Sequence, residues 1–134
     1  MVFFSYVWAD GRTYEGQFVN GGRHGFGLFT VPDDYSSTKL RSYSGDWVDD
    51  VISGNGFMIY KNGDTYRGQL IQKLMHGEGK YTFNTNDLKE SYDGHWSYDV
   101  KTGNGTMIWK DGDKYIGNWQ DNKRHRQGKQ DFKG

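Results

Sequence analysis

Five times along the chain a tyrosine is followed two positions later by glycine, at Tyr14/Gly16, Tyr43/Gly45, Tyr66/Gly68, Tyr92/Gly94 and Tyr115/Gly117. Two positions beyond each glycine stands a large apolar side chain: Phe18, Trp47, Leu70, Trp96 and Trp119. Eleven positions after each of the first four tyrosines a second signal opens, as Gly25-Phe26-Gly27, Gly54-Asn55-Gly56, Gly77-Glu78-Gly79 and Gly103-Asn104-Gly105. In the fifth copy Arg126 takes the place of the first glycine and Gly128 remains. Self-similarity of this kind specifies a repeat array, in which each unit stacks on its neighbours. Tyrosine-to-tyrosine steps are 29, 23, 26 and 23 residues. Since the eleven-residue offset is constant, the extra residues fall around Pro32–Ser42 and Asn84–Ser91. Insertions confined to one connection belong on surface turns.

Each unit reads as strand, loop, strand, tight turn. Tyr14-Glu15-Gly16-Gln17-Phe18 alternates large and polar side chains, the period of a strand. The loop Asn20–Arg23 leads into a second strand from about His24 to Val31. Units join through Asp10-Gly11, Asn62-Gly63 and Asp111-Gly112, a strong hairpin signal because both residues of such a pair accept positive φ. Connections this short make every neighbouring pair antiparallel. The expectation is all-β: a single-layer antiparallel meander of about five hairpins and ten or eleven strands, elongated and twisted, on the order of 50 Å long. Its parts are a partial unit at 1–11 and units at about 14–42, 43–65, 66–91, 92–114 and 115–134.

Composition agrees. Only 34% of residues are hydrophobic, yet 17% are aromatic, with 20 glycines, one proline and a mean hydropathy of -0.95. Rings beside glycines suit a thin sheet better than a deep core. A glycine inside a strand weakens it unless a neighbouring ring covers the empty Cβ side. All thirteen glycines of the two motifs are therefore expected to be structural, covered by the rings of their own or the next hairpin; the choice turns on a register that loop length alone does not settle.

Tyr43-Ser44-Gly45-Asp46-Trp47 through Asn62-Gly63-Asp64-Thr65-Tyr66, and Tyr92-Asp93-Gly94-His95-Trp96 through Asp111-Gly112-Asp113-Lys114-Tyr115, carry a pattern that resembles the MORN (membrane occupation and recognition nexus) repeat. The resemblance covers nearly the whole chain and departs from the pattern at Leu70, at the two longer connections and at Arg126. It implies a rod-like sheet of hairpins with one concave face. It further implies a scaffold at cytoskeletal, ciliary or membrane-junction sites, or an accessory module of a larger enzyme. Implied partners are a protein segment in the groove, a second copy of the chain, and weakly a phospholipid.

Charge bounds the partners. With 17 basic and 17 acidic residues the formal net charge is zero, which argues against binding nucleic acid or an acidic membrane mainly by charge. No cysteine is present, so disulfides and thiolate metal sites are excluded. His24, His76 and His125 occupy one slot in units one, three and five, and His95 stands apart. Slots two hairpins apart lie roughly 19 Å from one another, too far for a shared metal, so local backbone bonding is expected and no metal. Arg23, His24, Lys73, His76, Lys123, Arg124 and Arg126 in the loops of units one, three and five alternate along one edge with Asp49, Asp50 and Asp99. This reads first as solvated charge, and second as a weak stabiliser of the stack or a reader of an alternately charged partner.

The Gly-x-Gly copies lack the following helix of a nucleotide loop, and Asn104-Gly105-Thr106 is a chance glycosylation match. The apolar start, Met1–Trp8, reads as a strand rather than a leader, so a cytoplasmic location is expected. Neither a nucleophile turn nor a closed pocket is marked, so no enzyme activity and no cofactor are expected. That leaves the rings. Tyr14, Phe18, Tyr43, Trp47, Tyr66, Tyr92, Trp96, Tyr115 and Trp119 are expected first to pack over glycines and second to be the partner-binding residues. Phe29, Met58, Tyr60, Tyr81, Phe83, Met107 and Trp109 form a second apolar set, some of which are expected to be exposed or covered by a partner. The leading expectation is a scaffold binding a protein segment or its own copy. Alternatives are a phosphoinositide adaptor reading the Lys and Arg loops, and a choline- or glucan-binding wall module.

Overall fold

A computed structural model describes residues 2–84 and 88–131, with side chains described as far as His125. Eleven strands form one open sheet, ordered as in the sequence: β1 (Val2–Val7), β2 (Thr13–Val19), β3 (Gly22–Thr30), β4 (Leu40–Val48), β5 (Val51–Tyr60), β6 (Thr65–Ile71), β7 (Leu74–Thr82), β8 (Lys89–Ser97), β9 (Val100–Trp109), β10 (Lys114–Gln120) and β11 (Lys123–Asp131). Every neighbouring pair is antiparallel. Five hairpins follow the single strand β1, in a one-layer meander.

Register aligns the glycines. Gly16, Gly27, Gly45, Gly56, Gly68, Gly79, Gly94, Gly105, Gly117 and Gly128 pair strand to strand in one unbroken row. Beside it runs a row of large side chains, Tyr14-Phe29-Tyr43-Met58-Tyr66-Tyr81-Tyr92-Met107-Tyr115, also paired across the sheet. Both rows lie on the same face, because the positions differ by two.

Each tyrosine lies down over the glycines of its own hairpin. A Cβ added at Gly27, Gly56, Gly79 or Gly105 would come within 2.0–2.3 Å of an atom of Tyr14, Tyr43, Tyr66 or Tyr92 respectively. The hydroxyl at the far end of each ring donates to the carbonyl three residues on, Tyr14 to Gln17 at 2.8 Å, Tyr43 to Asp46 at 2.8 Å, Tyr66 to Gln69 at 2.7 Å, Tyr92 to His95 at 3.0 Å and Tyr115 to Asn118 at 3.1 Å. The tryptophans join units instead. Indole N–H groups of Trp47, Trp96 and Trp119 donate to the carbonyls of Gly27, Gly79 and Gly105 in the preceding unit. Each indole also meets its own and the preceding tyrosine edge to face, as Trp47 does with Tyr43 and Tyr14 at 5.5 Å each. The rings thus shield one another, and Tyr43, Tyr66 and Tyr92 reach 0% exposure in a single layer.

The first glycine of each Gly-x-Gly has a different job from the one expected. Gly25, Gly54, Gly77 and Gly103 have φ of 81°, 112°, 88° and 66°, a region an L side chain rarely adopts. They sit in a bulge repeated in every hairpin, where Gln17 faces His24 to Phe26 while Gly16 and Phe18 on either side are paired normally. The bulge leaves a middle N–H without a ladder partner, and a polar side chain from the first strand takes it: Gln17 Oε1 accepts from Phe26, Asp46 Oδ2 from Asn55 and Gln69 Oε1 from Glu78.

The two kinds of connection exchange their expected characters. Asn20-Gly21, Asp49-Asp50, Gln72-Lys73, Tyr98-Asp99 and Asp121-Asn122 are the two-residue turns with positive φ at both positions, the twist-compatible hairpin type. At Asp10-Gly11, Asn62-Gly63 and Asp111-Gly112 only the glycine has positive φ. There the carboxylate or amide oxygen accepts an N–H two residues on, as Asn62 Oδ1 does from Asp64 at 2.9 Å, a local turn bond.

Gly79→Ala places a methyl against the Tyr66 hydroxyl and is expected to destabilise the chain by about 1–3 kcal/mol. Lys80→Ala, on the opposite face, should stay within about 0.5 kcal/mol of the parent. Urea unfolding at unchanged slope measures both; equal midpoints would contradict the packing described.

Candidate functional site

The rings pack over glycines as first expected, and the second apolar set shares their face. Tyr14, Tyr43, Trp47, Tyr66, Tyr92, Trp96, Tyr115 and Trp119 are buried, while Phe18 keeps part of its surface. Fully covered rings offer a partner no direct contact in this conformation, so what a partner meets on this face is the layer around and above them. Phe29, Met58 and Met107 of the second apolar set are buried in the same layer, and Tyr60, Tyr81, Phe83 and Trp109 pack against it part-buried. Register explains this correction: Tyr14 pairs with Phe29 and Tyr43 with Met58, so both sets share a face. Exposed apolar side chains occupy the other face at Phe26, Leu28 and Ile116, and both faces of β1, whose Val2, Phe4 and Tyr6 share the ring face.

Cations stand over the rings. The Arg23 guanidinium lies 4.3 Å from the Trp47 ring centre and Arg12 lies 5.1 Å from Trp8 and Tyr35. Lys101 Nζ lies 5.5 Å from Trp96, and Arg124 lies 5.6 Å from Trp109 and Tyr115. Arg23, Lys101 and Arg124 share one register slot, opposite Phe18, Trp96 and Trp119; the equivalent slots in the middle units hold Ile52 and Met75, opposite Trp47 and Leu70. The face is therefore apolar at its centre and cationic toward both ends. Burial first, and then neighbouring Lys89, push the Lys101 ammonium below its ordinary value.

Two adjoining hollows open on this face. One, of about 360 Å³, lies between Arg12, Arg23, Tyr35 and Trp47; the second, of about 670 Å³, lies between Tyr60, Met75, Tyr81 and Asp99. They share Thr38, because the first long connection folds back over the sheet. Val31 and Leu40 at its ends are buried, Tyr35 packs on the core, and Lys61 Nζ donates to the Tyr35 carbonyl. This insertion is thus a wall rather than a free surface turn. Of the second insertion, residues 85–87 lie outside the described residues.

Beneath the larger hollow Asp64 is buried at 4% exposure and fully engaged. Its carboxylate accepts the Tyr81 hydroxyl at 2.7 Å and the Asn84 N–H at 2.7 Å. In the sequence Asp64 carries no mark beyond its place after Asn62-Gly63. Burial, together with donation to Asp64, holds the Tyr81 phenol well above its usual range. Burial, then the charges of Asp99 and Asp64, push Tyr60 up to about 12, and burial with Asp93 does the same for Tyr92.

Along the turn edge the units interlock. Asp50 N–H donates to the Arg23 carbonyl, and the Asp50 carboxylate accepts Arg23 N–H and Nε at 3.1 and 2.6 Å. Asp99 and Asn122 repeat the exchange with Met75 and Lys101. Asp50 is therefore more than solvated charge, and Arg23 holds its carboxyl below the usual range; the Asp49 side chain is 93% exposed. Two histidines bond the backbone of the next unit's turn: His24 Nδ1 accepts Asp49 N–H and His76 Nδ1 accepts Tyr98 N–H. Among the described residues no three His, Cys, Asp or Glu side chains gather as a metal site, and no helix is long and apolar enough to cross a membrane. The Arg126 side chain lies outside the described residues.

The repeating tyrosine, glycine row and bulge match one family along almost the whole chain. Residues 14–34, 43–65, 66–88, 92–114 and 115–133 each match the MORN repeat. The chain belongs to the MORN repeat family. Among curated proteins this MORN array is similar to the ALS2 C-terminal-like protein of Bos taurus, 36% identical over 72 residues, which is 54% of this chain and 8% of that protein. It is likewise similar to alsin of Homo sapiens, 32% identical over 72 residues, covering 54% of this chain and 4% of alsin. The array thus spans less than a tenth of the curated relatives it matches.

Burial of the phenols makes the MORN array alkali-sensitive. Unfolded tyrosines ionise near about pH 10, whereas Tyr60 and Tyr92 in the fold hold their protons to about 12. Above about pH 10 the unfolded chain binds fewer protons than the folded one, so stability falls as pH rises. Phenolate absorbance should lag and then jump together with loss of the sheet's circular dichroism. Smooth ionisation near pH 10 of a fully folded chain would contradict the burial.

Proposed function

We propose that this MORN array is a non-catalytic adaptor module that receives a protein segment along its ring face. The observation that carries the proposal is the pair of adjoining hollows walled by residues 32–39, which offer part-buried Tyr60 and Tyr81 at the floor of an open groove. Such a groove suits side chains of a segment laid across the strands, and its openness suits binding rather than chemistry that needs a dry pocket. A second reading, contact with anionic lipid, is supported by the ring-stacked cations. A cytoplasmic placement at membrane or cytoskeletal junctions is carried by the family resemblance alone.

The absence of native cysteine allows a direct test. Thr38→Cys lies between the hollows, and Ser44→Cys lies on the opposite face. Each is coupled to a bulky maleimide and challenged with peptides selected from a displayed random library on the parent chain. Label at position 38 should abolish peptide capture and label at 44 should leave it. Capture blocked only from position 44 would move the site to the other face. Flotation with anionic vesicles, but no selectable peptide, would replace the segment by lipid.

A further inference from the structure

Resting on the segment-binding reading, the chemistry of the segment can be narrowed. At the β3 end of the groove stand Arg12 and Arg23. Asp10 and Asp50 each take the Nε–H of one guanidinium, at 2.9 and 2.6 Å, and the Asp50 carbonyl takes one Arg23 Nη2 bond. With five N–H donors per guanidinium, most of the donors on Arg12 and Arg23 remain, and the two carboxylates fix the planes against Trp8 and Trp47. At the other end Lys101 lies over Tyr92 and Trp96, part-buried and beside a like charge, Lys89. A cation desolvated among rings and repelled by its neighbour is stabilised by an incoming carboxylate. Between the ends lie Ile52, Leu70 and Met75, with part-buried Tyr60 and Tyr81 at the floor of the larger hollow.

We propose that the ring face selects a segment with an apolar centre and acidic residues at both ends, received by the remaining N–H donors of Arg12 and Arg23 on one side and by Lys101 on the other. Six strand spacings separate β3 from β9, roughly 29 Å. That distance is spanned by about nine extended residues or about nineteen helical ones. A basic or uncharged segment of the same apolar content leaves Lys101 and the remaining guanidinium donors unanswered and is rejected. Net neutrality of the whole chain does not oppose this selection, because the cations that decide it are gathered on one face and oriented by rings.

The test uses the full chain and a displayed library of random twenty-residue peptides. Selection on the parent should enrich Asp and Glu several-fold in both end portions and apolar residues between them. A synthetic winner should bind Lys101→Glu at least ten-fold more weakly. Affinity should return when one acidic end of that peptide is changed to lysine. Lys101→Met, which keeps the packing over Trp96, should weaken the same winner while the melting temperature holds, separating charge from folding. Winners that are blocked by the position-38 label but carry no acidic bias, or that bind the Lys101→Glu and Lys101→Met variants as the parent, overturn the charge assignment and leave the groove. Absence of any winner sensitive to that label overturns both.

Discussion

A phenol ring lying flat across a glycine is the contact on which this sheet depends. A one-layer sheet has no second layer to bury its apolar face, and ordinary side chains standing perpendicular to the strands would remain half in water. Removing Cβ from a whole row lets Tyr14, Tyr43, Tyr66 and Tyr92 recline until each hydroxyl reaches a backbone carbonyl three residues on. The ring is then covered from above by its neighbours, and the polar end is satisfied rather than stranded. Burial and hydrogen bonding are achieved by the same tilt, and any side chain larger than hydrogen in the row forbids it.

Joining of units is a separate matter, done mainly by tryptophan and by the turns. Trp47, Trp96 and Trp119 each stand between two tyrosines and donate to the preceding unit's glycine carbonyl. Leu70 holds the same place without an N–H, so the junction of the second and third units lacks that bond and the two edge-to-face ring contacts. It is also the part of the face where Ile52 and Met75 replace cations and where the larger hollow opens beside Met75. A smaller side chain at one junction therefore does two things at once: it thins the coupling and leaves room. Stability in a linear array is a sum of unit and junction terms, so the array can surrender one junction's worth of packing while the turn edge, through Lys73 N–H on the Ile52 carbonyl, keeps the units in register.

Much of the fold was legible because its grammar is spacing. Tyrosine, glycine and the eleven-residue offset placed the strands, their order and their antiparallel sense. The bulge was what hid the rest. It shifts the register within each hairpin but not between hairpins, so spacing alone could not tell which tyrosine covers which glycine, or that Gly25 and Gly27 serve different ends, one for positive φ and one for ring contact. Turn chemistry misled in the same way: Asn62-Gly63 looks like the tighter turn, yet Gln72-Lys73 is the two-residue one, its positive φ values of 46° and 71° imposed by strand twist rather than by glycine. Asp64 was illegible because its burial comes from Tyr81 and Asn84, both contributed by the next hairpin. Alternation assigns the nominated rings to one face but cannot say whether their neighbours will close over them, and the glycine packing expected of them first is what the sheet shows.

That last point bears on how such an array can recognise anything. If the repeated rings are consumed in holding the sheet, recognition must reside in positions the repeat leaves free to vary: the slot after the turn, occupied here in order by Arg23, Ile52, Met75, Lys101 and Arg124, and the inserted wall with Tyr35 and Thr38. Neither belongs to the motif, so neither is constrained by glycine or tyrosine. Each of these slot residues lies directly against a structural ring or, at Met75, against Leu70, so its side chain is held at a fixed height and spacing by the scaffold beneath. A side chain presented that way has lost most of its rotamer freedom before a partner arrives, which lowers the entropy cost of each contact it then makes. The scaffold motif supplies rigidity and the variable slot supplies chemistry, and the two meet wherever a cation rests on an indole.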